Sequence, residues 1–168
     1  QKLLSDYPAH TLFETIPKFH DTADRMRQLR EAIKQDRAGR AKDVTSEISF
    51  YMDRAFLCEE IIGRIASGEL PLRVTHNDTK LNNIMIDDKT DEGVCIIDLD
   101  TVMPGSVLYD FGDSIRFGAS SAAEDEKNLE SVYLRLDLFE TYTQGFLEAA
   151  EDSLTETEIG LLPLSAKL

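Results

Sequence analysis

The run Thr75-His76-Asn77-Asp78-Thr79-Lys80-Leu81-Asn82-Asn83 sets a histidine, a carboxylate, an ammonium group and an amide close together between apolar segments. Asp98 follows about fifteen residues later, directly after the apolar run Val94-Cys95-Ile96-Ile97. These residue types have a common use. Moving a phosphoryl group onto a hydroxyl needs one carboxylate to orient that hydroxyl and take its proton, and hard oxygen donors to hold a magnesium ion against the nucleotide phosphates. Asp78 suits the first role. Asn83 and Asp98, as a neutral amide oxygen and a carboxylate, suit the second, and Lys80 can neutralise charge on the group in transit. Each Asp taken alone reads as readily as the closing residue of an Asx-turn.

The spacing strengthens the joint reading, because His-x-Asp followed five residues later by Asn, and then by an Asp at a strand end, is the order of the protein-kinase catalytic loop and its metal-binding Asp. His76-Asn77-Asp78, Asn83, Ile97-Asp98 and Tyr109-Asp110-Phe111-Gly112-Asp113 resemble the aminoglycoside phosphotransferase and choline kinase family, a branch of the protein-kinase-like fold. The longer strings from Leu72 to Asn83, from Asp98 to Gly105 and from Tyr109 to Gly118 are similar to bacterial N-acetylhexosamine 1-kinases, which phosphorylate the anomeric hydroxyl of N-acetylglucosamine or N-acetylgalactosamine. The resemblance implies ATP and Mg²⁺ as cofactors and a small hydroxylated acceptor. It places Asp78 and Lys80 at the reaction, Lys80, Asn83 and Asp98 on the nucleotide and its metal, and Asp110 as a brace for the loop. His76, Asp100, Asp110 and Arg116 are candidates for contacting the acceptor or for supporting those that do, and Asp113 is left open with them.

The elements that would position these residues follow from periodicity. Asp21 or Thr22 can cap a helix with Ala23, Met26, Leu29 and Ile33 on one face, ending at Ala38-Gly39. The stripe Ile48, Met52, Ala55, Cys58, Ile62 and Ile65 predicts one long helix from about Asp43 to Ser67, stopped by Gly68 with Pro71 beyond. Leu72–Val74, Ile84–Ile86 and Val94–Ile97 read as short strands separated by turn-rich stretches, so that buried strands would hold the polar loop. After Gly118, Leu129, Val132, Leu136, Phe139, Phe146 and Ala149 predict helix, and Thr155 with Glu158 predicts a capping box for a last helix that continues to the end of the sequence. The expected class is α+β, mainly helical around a small β centre, with residues 72–118 as the catalytic and metal-binding core of residues 1–168.

Composition narrows the partners. The 168 residues carry 18 Lys and Arg against 32 Asp and Glu, a net charge of −14, which disfavours a nucleic acid because that binding depends on basic side chains displacing counterions. The longest apolar runs fall far short of the roughly 18 residues that span a bilayer, so a cytoplasmic location is expected. Cys58 and Cys95 are too few for a disulfide framework and read as small buried hydrophobes. No zincin spacing and no GxSxG elbow is present among the histidines and serines.

The sequence also departs from the family. None of the nine glycines forms GxGxxG, and no strand-borne Lys paired with a helix Glu is found. The expectation is therefore the larger, carboxy-terminal lobe of a kinase-like enzyme without the amino-terminal lobe that covers the nucleotide. Such a chain by itself is expected to be inactive and inclined to self-associate. Choline, another sugar or an aminoglycoside remain alternative acceptors, and an inactive binding module is the alternative outside the enzyme class.

Overall fold

The computed structural model of the chain describes Leu4 and residues 6–168. Although no linker-like stretch interrupts the sequence, the chain divides into two compact units. One is Pro17–Pro71 with Leu168, and the other is Leu72–Lys167 with the described residues up to Ile16.

The first unit is helical. Helix α1, Thr22–Gln35, starts where the Asp21 carboxylate accepts the Asp24 N–H at 2.8 Å, and it ends at Asp36, a left-handed residue with φ of 36°. The end falls before the expected Ala38-Gly39 because Asp36 itself takes the left-handed cap. The expected long helix is broken into a 3₁₀ turn over Ala41–Val44, helix α2 over Thr45–Asp53, a second 3₁₀ turn over Ala55–Glu59 and helix α3 over Glu60–Ser67. The break explains a shift in the buried face. A 3₁₀ turn advances about 120° per residue where an α-helix advances about 100°, so five residues of it rotate everything downstream by about one α-helical position. Ile61 accordingly takes the place expected for Ile62 and is fully buried. Gly68, at φ of +80°, closes α3 in a left-handed conformation open to glycine without strain.

The second unit carries the sheets and three helices. Strand β1, Arg73–Thr75, pairs antiparallel with β4, Met103–Gly105, while β2, Ile84–Ile86, pairs antiparallel with β3, Gly93–Ile96. The small β centre is thus two separate two-stranded sheets, and β4 was not legible because Met103-Pro104-Gly105 reads as a turn. The hairpin β2–β3 is exposed along its whole length rather than buried. Cys95 is correspondingly exposed and Cys58 only half-buried, against the expectation of two buried thiols.

Helix α4, Val107–Gly118, is the centre of the core: Val107, Leu108, Phe111 and Ile115 are all at most 1% exposed. Helix α5 runs over Leu136–Ala150, so Leu129 and Val132 of the expected stripe lie outside it and are exposed, and Ala150 rather than Ala149 is buried. Phe139, Tyr142 and Phe146 of α5 surround the Phe111 ring edge-on with centroids 6.4, 6.0 and 5.1 Å away, the arrangement aromatic quadrupoles favour. Helix α6, Glu156–Ser165, opens on the expected capping box and stops at Ser165, short of the end of the sequence. It packs closely on α4 because Gly112 has no side chain: a Cβ there would lie 2.4 Å from the Ser165 carbonyl oxygen. Glu158 of the box also forms a two-pronged pair with Arg73 at 2.6 and 2.8 Å, tying β1 to the start of α6. Among the described residues no helix is long and apolar enough to cross a membrane.

Candidate functional site

Two loops meet above α4. The first leaves β1 at Thr75 and runs through His76, Asn77 and Asp78 to a 3₁₀ turn over Leu81–Asn83, and the second leaves β3 and runs through Ile97 and Asp98 to a 3₁₀ turn over Leu99–Thr101. Each contains a left-handed residue that is not glycine: Asn77 at φ of 65° and Asp98 at φ of 61°. Asn and Asp are the L-residues that tolerate this region best, at a cost of the order of 1–2 kcal/mol that the surroundings must offset.

The surroundings do so with hydrogen bonds. The Asp110 carboxylate, on the first turn of α4, accepts the backbone N–H of His76 at 3.0 Å and that of Asn77 at 2.7 Å. The Thr79 hydroxyl donates to the Asp110 carbonyl at 2.6 Å, and the Ser114 hydroxyl donates to the Thr79 carbonyl at 3.1 Å. The buried helix therefore holds the loop from beneath by both main chain and side chain. Burial pushes the Asp110 carboxyl up from its ordinary value, against the opposing pull of those two amides.

His76 faces the second loop. Its Nε2 lies 3.0 Å from the Ile97 carbonyl, which can only accept, and its Nδ1 lies 3.3 Å from the Asp78 N–H, which can only donate. The partners assign the neutral tautomer with the proton on Nε2. His76 is thus engaged with both loops at once.

Asp78, Lys80 and Asn83 come together. The Asn83 amide nitrogen donates to the Asp78 carboxylate at 2.9 Å and to the Asp78 carbonyl at 2.8 Å, and the Lys80 ammonium lies 3.2 Å from the same carboxylate oxygen. That contact raises the Lys80 pKa, with smaller contributions from the nearby charges of Glu124 and Asp98. A hydrogen bond from Ile97 N–H to the Asn83 carbonyl at 2.9 Å brings Asp98 beside this group. Asp78 is partly open to solvent and Asp98 is exposed, so a bound molecule could reach both.

The remaining candidates separate. Asp100 is exposed, and among the described residues its carboxylate makes no hydrogen bond or ion pair. Arg116 is exposed on α4 and is occupied by two acids, Asp113 at 2.8 and 3.1 Å and Glu124 on the following loop. Sequence reasoning passed over Thr79, Thr101, Ser114 and Gly105, although all four sit inside the quoted strings. The three hydroxyls matter through main-chain partners that no spacing rule reveals, and Gly105 through the side chain it lacks.

The donor set fits a magnesium ion that also takes phosphate oxygens. Among the described residues no three His, Cys, Asp or Glu side chains lie close enough to hold a metal on their own. Both hydrogen bonds of the Asn83 amide use its nitrogen. Among the described residues its oxygen and the Asp98 carboxylate accept no hydrogen bond and make no ion pair, so both could serve a hard cation.

A sequence model described as the phosphotransferase enzyme family matches residues 3–144.

Proposed function

Because the chain belongs to the phosphotransferase enzyme family, we propose that it transfers the γ-phosphate of ATP, with Mg²⁺, to the hydroxyl of a small molecule, and that this acceptor is the anomeric hydroxyl of an N-acetylhexosamine. The observation that carries the reading is the contact of Asp78 with Lys80 and Asn83, with Asp98 next to Ile97, whose N–H bonds the Asn83 carbonyl. The choice of acceptor rests on the resemblance of the strings around Asp78, Asp98 and Asp110. The chain, with its helices and two small sheets, is assigned to the larger lobe of a kinase-like enzyme, and a cytoplasmic location goes with that assignment.

In this reading Asp78 accepts a hydrogen bond from the attacking hydroxyl, aims it at the phosphorus and takes its proton as the new P–O bond forms and the bond to the leaving ADP oxygen breaks. Asn83 keeps the Asp78 carboxylate oriented through its amide N–H, and the same amide's oxygen, with Asp98, would hold magnesium. The bound ion supplies neutralisation of the charge on the phosphate oxygens. Lys80, resting on Asp78, is within reach of a phosphate placed at the site, and turning towards it would release the carboxylate for its work as a base. Catalysis of this kind is positioning and electrostatics.

The test is ADP formation by the longest version of the gene product, since residues 1–168 alone are expected to be inactive, with Mg²⁺ and ATP across a panel of N-acetylglucosamine, N-acetylgalactosamine, their methyl glycosides, choline and an aminoglycoside. Turnover of the free sugars and none of the methyl glycosides is expected, since the glycosides lack the anomeric nucleophile. Turnover of a methyl glycoside moves the reaction to another hydroxyl. Preference for choline or an aminoglycoside overturns the sugar reading, and no ADP with any acceptor favours a binding module.

A further inference from the structure

The two loops of the site are joined by a clamp of their own. The Asn77 side-chain N–H donates to the Thr101 carbonyl at 3.0 Å, and the Thr101 hydroxyl donates back to the His76 carbonyl at 2.7 Å. His76 Nε2–H to the Ile97 carbonyl is the third bond across the gap. Asn77 is 3% exposed, and its amide is fully used: its second N–H donates to the Thr75 carbonyl at 3.2 Å and its oxygen accepts the Thr75 hydroxyl at 3.0 Å. A left-handed residue alone would be met best by glycine. The residue present also supplies two donors and an acceptor, in a buried place where leaving any of them unmade is costly.

Strand β4 is shaped to this clamp. A Cβ at Gly105 would lie 2.3 Å from the Thr75 hydroxyl and 3.0 Å from the Asn77 amide oxygen. The strand approaches the amide only because that position has no side chain.

We propose that Asn77 and Thr101 are positioning residues that fix the separation between Asp78 on one loop and Asp98 on the other. The proposal rests on the phosphotransferase reading of the site. Ile97 N–H to the Asn83 carbonyl and the Asn83 amide to Asp78 keep the residues that would hold the metal together, so loosening the clamp shifts the Asp78 backbone without dismantling the nucleotide's ligands. The kinetic signature is a loss in kcat with little change in KM for Mg·ATP.

Asn77→Gly keeps the left-handed conformation and removes the amide, and Thr101→Val keeps the shape and removes the hydroxyl. In the intact protein, assayed below the melting temperature of each variant, both are expected to lower kcat by about 10–100-fold, the effect of a misplacement of about 1 Å, with KM for Mg·ATP changed less than about 3-fold. The double variant is expected to lose little more than the worse single one, because both act through one clamp. Losses that multiply, or that vanish when the variants are compared at equal fractions folded, overturn the proposal. Should Asn77→Gly fail to fold, Thr101→Val carries the kinetic test. Amide hydrogen exchange separates the clamp from the reaction: each variant is expected to speed exchange at least about tenfold in both loops, over 76–79 and 98–102. Acceleration confined to the substituted loop overturns the clamp even if activity is lost. Faster exchange in both loops of a protein that makes no ADP overturns the phosphotransferase reading and keeps the clamp.

Discussion

The loop around Asp78 and the hairpin β2–β3 are neighbours in the chain and opposite in character. The loop is polar and anchored at buried points, with Thr75, Asn77 and Asn83 at most 6% exposed, as is the Asp110 of α4 that holds it. The hairpin is apolar and open to solvent, with Met85, Val94 and Ile96 more than half exposed. What separates them is where each finds its hydrogen bonds. The loop's groups are met by side chains and carbonyls from β4, α4 and the turn after Asp98, so it is locked in place by long-range partners. The hairpin is held by pairing within itself, by a shift in register between Met85 and Ile86, and by the Asp87 carboxylate accepting the N–H groups of Lys89 and Thr90. An isolated two-stranded hairpin is marginal in water. Its value to the site is to deliver Ile97 and Asp98 at its end.

Substitutions in the two regions should differ accordingly. Asp78→Asn is expected to lower kcat by about 10²–10⁴-fold, about 3–5 kcal/mol of transition-state stabilisation, with ATP binding largely kept. Steady-state kinetics beside titration calorimetry would show it, and near-normal turnover would remove Asp78 from the reaction. Phe111→Ala empties the fully buried position ringed by Phe139, Tyr142 and Phe146 and is expected to cost about 3–5 kcal/mol in a urea titration. A loss below about 1 kcal/mol would mean that α4 is not the core of its unit.

Next comes Asp98→Ala, which sits on the exposed side of the comparison. It is expected to weaken Mg²⁺-dependent nucleotide binding and activity together while leaving the unfolding midpoint nearly unchanged. Unchanged magnesium dependence would refute the ligand assignment.

Glu158 tests the buried frame by pH. Burial alone would push its carboxyl up, but the Arg73 guanidinium and the Thr155 N–H outweigh burial and hold it below the ordinary value of 4.5. A carboxyl depressed in the folded state contributes stability that is complete above its unfolded value and is lost as pH falls through the folded one. The wild type should therefore lose stability more steeply below about pH 4.5 than Glu158→Gln, in which that titration is absent. Parallel acid profiles would show that the pair contributes nothing. The smallest effect belongs to the hairpin: Val94→Thr is expected to change stability by no more than about 0.5 kcal/mol. A larger loss would show that the hairpin is covered by something other than solvent.

Much of the site was legible because it is local in sequence. Asp78, Lys80 and Asn83 lie within six positions, and a loop that short must bring them near one another. The capping box at Thr155 and the left-handed stop at Gly68 were legible for the same reason. Helix α4 was harder: Asp110, Gly112 and Asp113 interrupt its apolar period. The resemblance implied that Asp110 braces the loop, and the fold shows its carboxylate on the His76 and Asn77 N–H groups; only the fold shows that Gly112 admits the Ser165 carbonyl. The long helix over residues 43–67 failed because 3₁₀ and α turns differ by about 20° per residue, which a stripe of apolar residues tolerates and a packed face does not.

The sequence by itself determined the chemistry on offer: which oxygen, nitrogen and ammonium groups exist, in what order, and which of them a short loop must hold together. The tertiary structure decided which of those groups are spent on holding the protein and which are left to act. His76, Asn77, Asp110 and Arg116 are occupied by partners 21 to 34 residues away or by neighbouring acids, whereas the Asp98 carboxylate is unpaired among the described residues. The physical reason is that a buried polar group must find a partner wherever the fold brings one, and no local pattern records a hydrogen bond closed across thirty residues of chain.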